Sequence, residues 1–190
     1  VDLLRTSGSW LRLAIFSDME LVERAIGEVS EKLLFNPEII LFGKTAHQHR
    51  SVGFFSNDTI GYQYSGTTAP SQPLTPCLAS LLTQVNELFE SSYNGILINF
   101  YSNGSDYIGA HSDDERFLGP LGVISLSYGT TRKFRIRDRS TREIVMDVPV
   151  PSGALLHMGG DFQKEFTHEV PMEKRIREGR YSFTFRQHLR

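Results

Sequence analysis

The sequence predicts an α+β fold that is mainly β, with two helices packed outside a sandwich or barrel of short strands. Three observations lead to this prediction. Apolar residues recur at helical spacing in two segments of the N-terminal half. From residue 96 onward, short alternating segments are separated by turn residues. The 190 residues, 39% of them hydrophobic, are enough for one domain with a buried core.

Two amphipathic segments predict the helices. Ser17 followed by Glu20 resembles a capping box, which favours a helix start at this point. The apolar positions of this first helix are Leu21, Ala25, Val29 and Leu33. Thr75-Pro76 predicts the start of a second helix, because proline is favoured in the first helical turn. Its apolar positions are Leu78, Leu81, Leu82, Val85 and Leu88.

Short β-strands are predicted in the rest of the chain. Residues 36–74, rich in Gly, Ser, Thr and aromatics, favour short strands and mobile loops. The later strands are ILINFY (96–101), VISLSYG (123–129), KFRIRD (133–138), EIVMDVPV (143–150), GALLHM (153–158) and RYSFTFRQ (180–187). We expect one structural domain, with residues 1–95 as an N-terminal elaboration and residues 96–190 as the β core.

Composition excludes several classes of protein. The net charge of −2 argues against a polybasic nucleic-acid-binding protein. The single cysteine, Cys77, excludes a disulfide framework and a thiolate zinc cluster and favours a reducing compartment. No apolar run approaches the length of a membrane span. Because the chain begins with Val1, we expect it to be a segment of a longer protein.

Basic residues are nevertheless concentrated in two places in the second half of the chain. Residues 132–142 hold Arg132, Lys133, Arg135, Arg137, Arg139 and Arg142, and a second group holds Lys174, Arg175 and Arg177. Such local clusters bind phosphate groups in some proteins and form a solvated face in others. The sequence pattern alone leaves both interpretations open.

The segment GAHSDDE (109–115) predicts either a metal site or a solvated acidic turn. Two histidines and one carboxylate on one face of Fe(II) leave coordination positions open for a co-substrate and oxygen. His111 and Asp113 supply two such ligands, and a later histidine would supply the third. His157 lies in the apolar ALLHM and resembles a core residue, whereas His168 lies at a predicted strand end before a proline. The remaining histidines are the loop residues His47 and His49 and the terminal His188.

Strand periodicity predicts a polar pocket beside this motif. In RYSFTFR, Arg180, Ser182, Thr184 and Arg186 share one face, and in ILINFY, Leu97, Asn99 and Tyr101 share one face. A polar strand face is often simply exposed to solvent. Two arginines alternating with hydroxyls, however, also suit a small dicarboxylate, because a guanidinium binds a carboxylate through two parallel hydrogen bonds.

These motifs resemble the AlkB family of Fe(II)/2-oxoglutarate-dependent nucleic-acid dealkylases, and most closely its duplex-DNA-repair branch. The resemblance covers roughly residues 40–188 and is strongest over LINFYSNGSDYIGAHSDDE, VISLSYGTTRKF and RYSFTFR. It implies a double-stranded β-helix (jelly-roll) catalytic core over residues 96–190. It also implies that residues 1–95 contain a nucleotide-recognition lid besides the two helices.

The resemblance implies a set of cofactor-binding residues. The catalytic iron ligands would be His111, Asp113 and His168. The residues holding 2-oxoglutarate would be Asn99, Tyr101, Arg180, Thr184 and Arg186, with Arg180 on the distal carboxylate. Ser182 stands where the family often has asparagine.

The resemblance also implies substrate-binding residues. Phe42 would wedge into the base stack, Tyr62 and Tyr64 would stack on the flipped base, and Glu115 would face its exocyclic amine. The implied phosphate contacts are Arg50, Arg132, Lys174 and Arg175. From their pattern alone, the three aromatic residues fit ordinary core or surface positions equally well.

The implied activity is oxidative demethylation of N-alkylated bases such as 1-methyladenine and 3-methylcytosine, with release of formaldehyde and succinate, as in DNA repair. The cofactors would be Fe(II), 2-oxoglutarate and O2. We expect a monomeric, intracellular protein, nuclear or cytoplasmic, that acts on DNA or RNA and has no membrane partner. The alternatives are an oxygenase acting on RNA methyl marks, proteins or small molecules, and a non-catalytic jelly-roll binding module.

Overall fold

The protein is built mainly from short strands. A computed structural model describes residues 1–41, 43–58, 61–64, 67–113 and 118–189; for residue 41 and for 61–64 and 67–69 it describes the backbone and not the side chains. The helices are α1 (Met19–Val29), α2 (Pro76–Phe89) and α3 (Phe162–Glu165). The strands before α2 are β1 (Asp2–Arg5), β2 (Ser9–Ile15), β3 (Glu38–Leu41), β4 (Lys44–His47), β5 (Ser51–Phe55), β6 (Gly61–Tyr64) and β7 (Thr67–Gln72). Those after it are β8 (Gly95–Tyr101), β9 (Ile108–His111), β10 (Val123–Gly129), β11 (Arg132–Asp138), β12 (Ile144–Val150), β13 (Ala154–Gly160), β14 (Phe166–Val170) and β15 (Arg180–Arg186).

Two sheets form the framework. The larger has the strand order β1-β2-β13-β10-β15-β8-β5-β7-β6, and the smaller has the order β12-β11-β14-β9. Strands β5 and β7 run parallel, and the other pairs of these two sheets are antiparallel. One buried cluster contains Val123 and Leu156 of the larger sheet together with Phe134 and Ile136 of the smaller, so the two sheets pack face to face. The predicted α+β, mainly β fold class is confirmed.

The helices cover the opposite face of the larger sheet. Apolar residues of α1 and α2 form one buried cluster with Ile98 of β8 and with Phe183 and Phe185 of β15. Ser182 and Thr184 therefore point to the other side, toward the smaller sheet, and they line a pocket there. The predicted alternation of faces along β15 is confirmed, and it aims the polar side chains of this strand between the two sheets.

Several local predictions need correction. Helix α1 is capped by Asp18, whose carboxylate accepts the Leu21 N–H at 3.0 Å, and not by Ser17. Leu88 was predicted on the buried stripe of α2 but is 56% exposed, and the adjacent Phe89 packs against the buried cluster at this end of the helix. Thr75 caps α2 as predicted. Strands β1, β2 and β9 were not predicted individually, since each is short or lacks a clean alternation of polar and apolar residues. His168, predicted at a strand end, lies in the middle of β14.

The larger sheet takes strands from both sides of residue 95: β1, β2, β5, β6 and β7 come before it and β8, β10, β13 and β15 follow. The division into an N-terminal elaboration and a β core at this residue stays a prediction. In the part of the chain that the structure describes, no helix is both long enough and apolar enough to span a membrane.

Candidate metal centre and adjoining pocket

Two neighbouring strands of the smaller sheet bring the predicted metal ligands together. His111 ends β9, and it lies directly opposite His168 on β14 in the antiparallel ladder. Asp113 follows two residues after His111, and the donor atoms of the three side chains all lie within 4.8 Å of one another. His157 lies outside this group, with its Nε2 atom 3.2 Å from the Leu121 carbonyl oxygen. The structure thus brings His168, and not His157, next to His111 and Asp113, and its role as the third ligand stays a prediction.

The two histidines present Nε2 atoms to Asp113. His111 Nδ1 lies 2.9 Å from the Gly109 carbonyl oxygen, which can only accept, so we assign the proton to Nδ1. The Nε2 atoms of His111 and His168 lie 3.8 and 3.4 Å from the two Asp113 oxygens. Burial and the neighbouring His168 lower the pKa of His111 to about 3, so its ring is neutral near pH 7. Neutral imidazole, held by a backbone carbonyl through its other nitrogen, is the usual form of a histidine metal ligand.

Asp113 is ionised. Burial alone would raise the pKa of its carboxyl group, but the Arg186 guanidinium and the two histidines hold that pKa well below its ordinary value. Arg186 Nη2 donates to Asp113 Oδ1 at 2.7 Å, and both side chains are 2% exposed. The ligand group therefore combines two imidazoles and one carboxylate, the set that binds Fe(II) and leaves positions open.

One pocket adjoins all three ligands and contains every residue predicted to hold 2-oxoglutarate. Besides the three ligands, its polar lining consists of Asn99, Tyr101, Ser125, Arg180, Ser182, Thr184 and Arg186. Its apolar lining consists of Leu97, Ile108, Phe134, Met158 and Val170. The lining comes from both sheets, so the pocket lies between them and its apolar part limits the entry of water.

Arg180 makes the pocket suitable for an anion. Its side chain is fully buried, and burial lowers its pKa. Nη2 donates to the Ser127 hydroxyl at 2.7 Å, whereas Nε and Nη1 have no acceptor among the residues that the structure describes. The Tyr101 ring lies 5.5 Å from its guanidinium carbon. A buried cation with two unused donors fits a carboxylate of 2-oxoglutarate.

The chain matches the family model described as the 2OG-Fe(II) oxygenase superfamily over residues 13–186. It is 32% identical over 157 residues to human DNA oxidative demethylase ALKBH2, covering 78% of this chain and 60% of that protein. It is 38% identical over 135 residues to bovine alpha-ketoglutarate-dependent dioxygenase alkB homolog 3, covering 66% of this chain and 47% of that protein. The chain belongs to the AlkB family of the 2OG-Fe(II) oxygenases. It spans between about half and two thirds of these relatives' length.

The AlkB-family assignment agrees with the fold. The solved structure of OsALKBH1 superimposes with a TM-score of 0.62, covering 99% of this chain and all of that one. At 19% sequence identity, this similarity establishes the shared jelly-roll-type fold alone. Fe(II) and 2-oxoglutarate are the cofactors and O2 is the co-substrate, and the buried His-Asp-His group and the unused donors of Arg180 fit the first two.

Two residues of this AlkB-family protein that were predicted to contact phosphate, Arg50 and Arg132, are buried instead. Arg50 is 3% exposed, and its Nε donates to Asn99 Oδ1 at 2.8 Å, so it supports a residue of the pocket wall. Arg132 is 1% exposed. Its guanidinium donates to the carboxylate of Glu173 and to the carbonyl oxygens of Asn103, Asp106 and Pro171. Neither side chain is available to a phosphate at the surface.

We expect Arg132→Met to lower the free energy of unfolding by about 3–5 kcal/mol, because it leaves the buried partners of the guanidinium without a donor. Urea denaturation followed by circular dichroism measures the change. The adjacent Lys133→Met is the control, since Lys133 is 39% exposed and pairs with Asp147 at the surface; its loss should cost less than about 1 kcal/mol. An equal loss of unfolding free energy in the two variants would contradict the conclusion that the buried hydrogen bonds of Arg132 stabilise the fold.

Four other predicted substrate residues are not tested by these contacts. Phe42 and Glu115 lie outside the residues that the structure describes. Tyr62 and Tyr64 lie on β6, opposite Ala69 and Thr67 of β7, and their side chains are outside the description. Strands β3 and β4 pair antiparallel, with Leu41 opposite Lys44. Lys174 and Arg175 are both exposed at the surface.

Gln163 is a residue of the site that the sequence did not reveal. It lies on α3, and its Oε1 accepts the Asp113 N–H at 2.8 Å. Ser112 Oγ donates to the Phe166 carbonyl oxygen at 2.9 Å. Both bonds connect the His-x-Asp segment to α3 and β14, the elements that lead to His168. A glutamine three residues after a pair of glycines belongs to no motif, so only the three-dimensional contact identifies it.

We expect Gln163→Leu to weaken divalent metal binding about tenfold, because partners that orient metal ligands typically contribute 10–100-fold to affinity. Titration with Co(II) measures both the affinity and, through the visible spectrum, the coordination geometry. Gln163→Glu keeps the acceptor for the Asp113 N–H and should retain most of the affinity. Lys164→Met, which removes an exposed neighbour on α3, is the control. A Co(II) affinity unchanged in Gln163→Leu would exclude the positioning role.

Proposed function

We propose that this protein is an Fe(II)/2-oxoglutarate-dependent dioxygenase that oxidatively demethylates N-alkylated bases in nucleic acid, of the DNA-repair type that acts on 1-methyladenine and 3-methylcytosine. The observation that carries the proposal is the opening of the His111–Asp113–His168 group into the same pocket as the buried Arg180. Similarity to a DNA oxidative demethylase supports DNA as the substrate.

Each part of the pocket has a proposed role. Arg180 binds the distal carboxylate of 2-oxoglutarate through its guanidinium, and Ser127 fixes the orientation of that group. Asn99, Tyr101 and Thr184 are further contacts of the co-substrate, all on the same side of the larger sheet. Arg186 keeps Asp113 ionised and also lies within the pocket.

Ser182 supports the same site in a way particular to this chain. Its hydroxyl lies 2.9 Å from the Ser125 hydroxyl on the neighbouring strand, and both side chains are buried. Two short hydroxyl side chains thus occupy the space that a longer asparagine would fill, and we propose that one of them contacts the co-substrate in its place.

The chemistry itself comes from the cofactors. Bound iron, 2-oxoglutarate and O2 would supply the oxidation of an N-methyl group: one oxygen atom enters the methyl group, whose hydroxymethyl product releases formaldehyde and the unmodified base, and the other enters succinate as 2-oxoglutarate loses CO2. The chain's own residues hold the co-substrate and the metal in fixed positions, and the apolar lining excludes water from them. The exposed Lys174 and Arg175 are proposed phosphate contacts. Phe42, Tyr62, Tyr64 and Glu115 stay proposed contacts of the base. A monomeric state and an intracellular location are part of the same proposal.

Anaerobic reconstitution with Fe(II) and 2-oxoglutarate, followed by air and methylated oligonucleotides, tests the proposal. The panel contains 1-methyladenine, 3-methylcytosine and N6-methyladenine in single-stranded DNA, duplex DNA and RNA, and mass spectrometry detects the products. We expect one methyl group to be lost from 1-methyladenine or 3-methylcytosine in DNA, and this loss to disappear in His111→Ala. Succinate formation with every oligonucleotide unchanged would retain the oxygenase and exclude nucleic acid as its substrate.

A further inference from the structure

An exposed aromatic pair lies outside the pocket. The rings of His49 and Tyr107 are stacked, with centroids 4.8 Å apart and planes inclined by 20°. The Tyr107 N–H also donates to the His49 carbonyl oxygen at 3.1 Å, so the two chain segments are joined by backbone as well as by side chain. His49 is exposed and Tyr107 is half-buried. The pair therefore presents a fixed aromatic surface to solvent.

Both residues of the pair are joined in the chain to residues of the metal site or its pocket. His111 is the most exposed of the three ligands, with 16% of its side-chain surface accessible against 6% for His168 and 2% for Asp113. It belongs to β9, the edge strand of the smaller sheet, and Tyr107 directly precedes that strand. The neighbour of His49 in the chain is Arg50, whose Nε donates to Asn99 Oδ1 in the pocket wall at 2.8 Å.

A basic turn adjoins the segment that carries Tyr107. The side chains of Lys174, Arg175 and Arg177 are exposed and form no salt bridge with the residues that the structure describes, while the Arg177 backbone N–H donates to the Glu178 carboxylate at 3.3 Å. Their turn is joined to Gly104 by two hydrogen bonds, Glu173 N–H to the Gly104 carbonyl at 2.8 Å and Gly104 N–H to the Ile176 carbonyl at 3.0 Å. A β-carbon at Gly104 would collide with the Glu173 carbonyl oxygen, so glycine permits this close approach.

The other basic cluster is different, because most of it is neutralised. Arg135 pairs with Asp147 at 2.7 Å, and Arg137 pairs with Glu169 at 3.0 Å. Lys133 also lies 3.6 Å from Asp147. Of the two clusters that the sequence contains, the one beside the aromatic pair is thus the one whose charges are available to phosphate groups.

We propose that the His49–Tyr107 pair is a stacking platform for an unmodified base of the substrate strand, with the backbone of that strand held by the basic turn. An aromatic surface flanked by cations is the combination that binds single-stranded nucleic acid without sequence preference. Tyr107 lies four positions before His111, so the distance between their Cα atoms is at most about 13 Å in an extended chain. At about 3.4 Å per stacked nucleotide, the stacked base lies within about four positions of the methylated one. The inference rests on the proposed nucleic-acid substrate.

Binding of a single-stranded oligonucleotide with one 3-methylcytosine tests the platform. The protein is loaded anaerobically with Fe(II) and 2-oxoglutarate, and fluorescence anisotropy gives the affinity. A series of oligonucleotides carries one abasic site, moved through four positions on each side of the modified base. We expect the affinity of the wild type for the oligonucleotide to fall about tenfold when the abasic site is at one of these positions. Tyr107→Ala should bind the intact strand about tenfold more weakly and no longer respond to the abasic site there.

Two further variants separate stacking from folding. Tyr107→Phe keeps the ring and should restore the response to the abasic site. Tyr181→Ala breaks a comparable stack with Phe100, at 4.4 Å and 26°, on the helix-covered side of the sheet, and should leave the response unchanged. If the protein demethylates the oligonucleotide and its affinity is the same for every position of the abasic site, the stacking platform is excluded and the proposed function stands. A protein that binds no oligonucleotide at all would overturn both.

Discussion

Turnover of 2-oxoglutarate is expected to fall by at least about a thousandfold in Asp113→Ala, equivalent to about 4 kcal/mol of transition-state stabilisation. The substitution removes the carboxylate that both histidines face and that supplies the anionic ligand of the metal. Asp113→Asn is the closest isosteric variant, and it also lacks the charge, so we expect a comparable loss. Succinate formation at saturating Fe(II) measures the effect.

The same substitution is expected to destabilise the metal-free protein. Arg186 is 2% exposed and donates to Asp113 at 2.7 Å, so Asp113→Ala leaves a buried guanidinium without its carboxylate. Breaking a buried ion pair from one side typically costs about 3–5 kcal/mol. Asp147→Ala, which removes a partly exposed partner of Arg135, is the control and should cost about 1 kcal/mol or less. If Asp113→Ala unfolded at the same urea concentration as the wild type, the Arg186–Asp113 pair would not stabilise the fold.

Arg180→Gln should raise the KM for 2-oxoglutarate by about a hundredfold or more. Hydrogen bonds to a charged group contribute about 1.5–3 kcal/mol each, and the substitution removes the charge and both unused donors. Arg180→Lys keeps the charge but loses the planar pair of donors, so an intermediate KM is expected. The measurement is succinate formation as a function of 2-oxoglutarate concentration.

Metal binding distinguishes this loss from general damage. Arg180 is not a metal ligand, so the Co(II) affinity of Arg180→Gln should stay close to that of the wild type. Arg175→Met, which removes an exposed arginine, should leave the KM for 2-oxoglutarate unchanged. An unchanged KM in Arg180→Gln would place the distal carboxylate on another residue.

The strands with clean alternation could be predicted from sequence. RYSFTFR separates Phe183 and Phe185 from Ser182 and Thr184, and this local pattern determines which face each residue occupies. The His-x-Asp motif was similarly informative, since two residues of one short segment carry most of the metal-binding signal. The choice of His168 over His157 followed from the apolar neighbours of His157.

Contacts between distant segments could not be predicted. Arg132 belongs to a cluster of basic residues in the sequence, and nothing local distinguishes it from its exposed neighbours. Its burial depends on carbonyl groups at Asn103, Asp106 and Pro171, and backbone carbonyls carry no sequence signature. The same reason applies to Gln163. The charge pattern thus indicated where cations are, while the fold decides which of them reach solvent.

The pairing of β9 with β14 has a consequence for the lifetime of the protein. The segments that hold His111 and His168 are far apart in the chain, so a bound ion acts as a crosslink that closes a long loop. An ion at about a hundred times its dissociation constant adds about 2.7 kcal/mol to the stability of the folded state. Where iron is scarce, the chain would therefore unfold more often and be degraded sooner. The supply of iron would set how much of the protein a cell contains, and not only how active each molecule is.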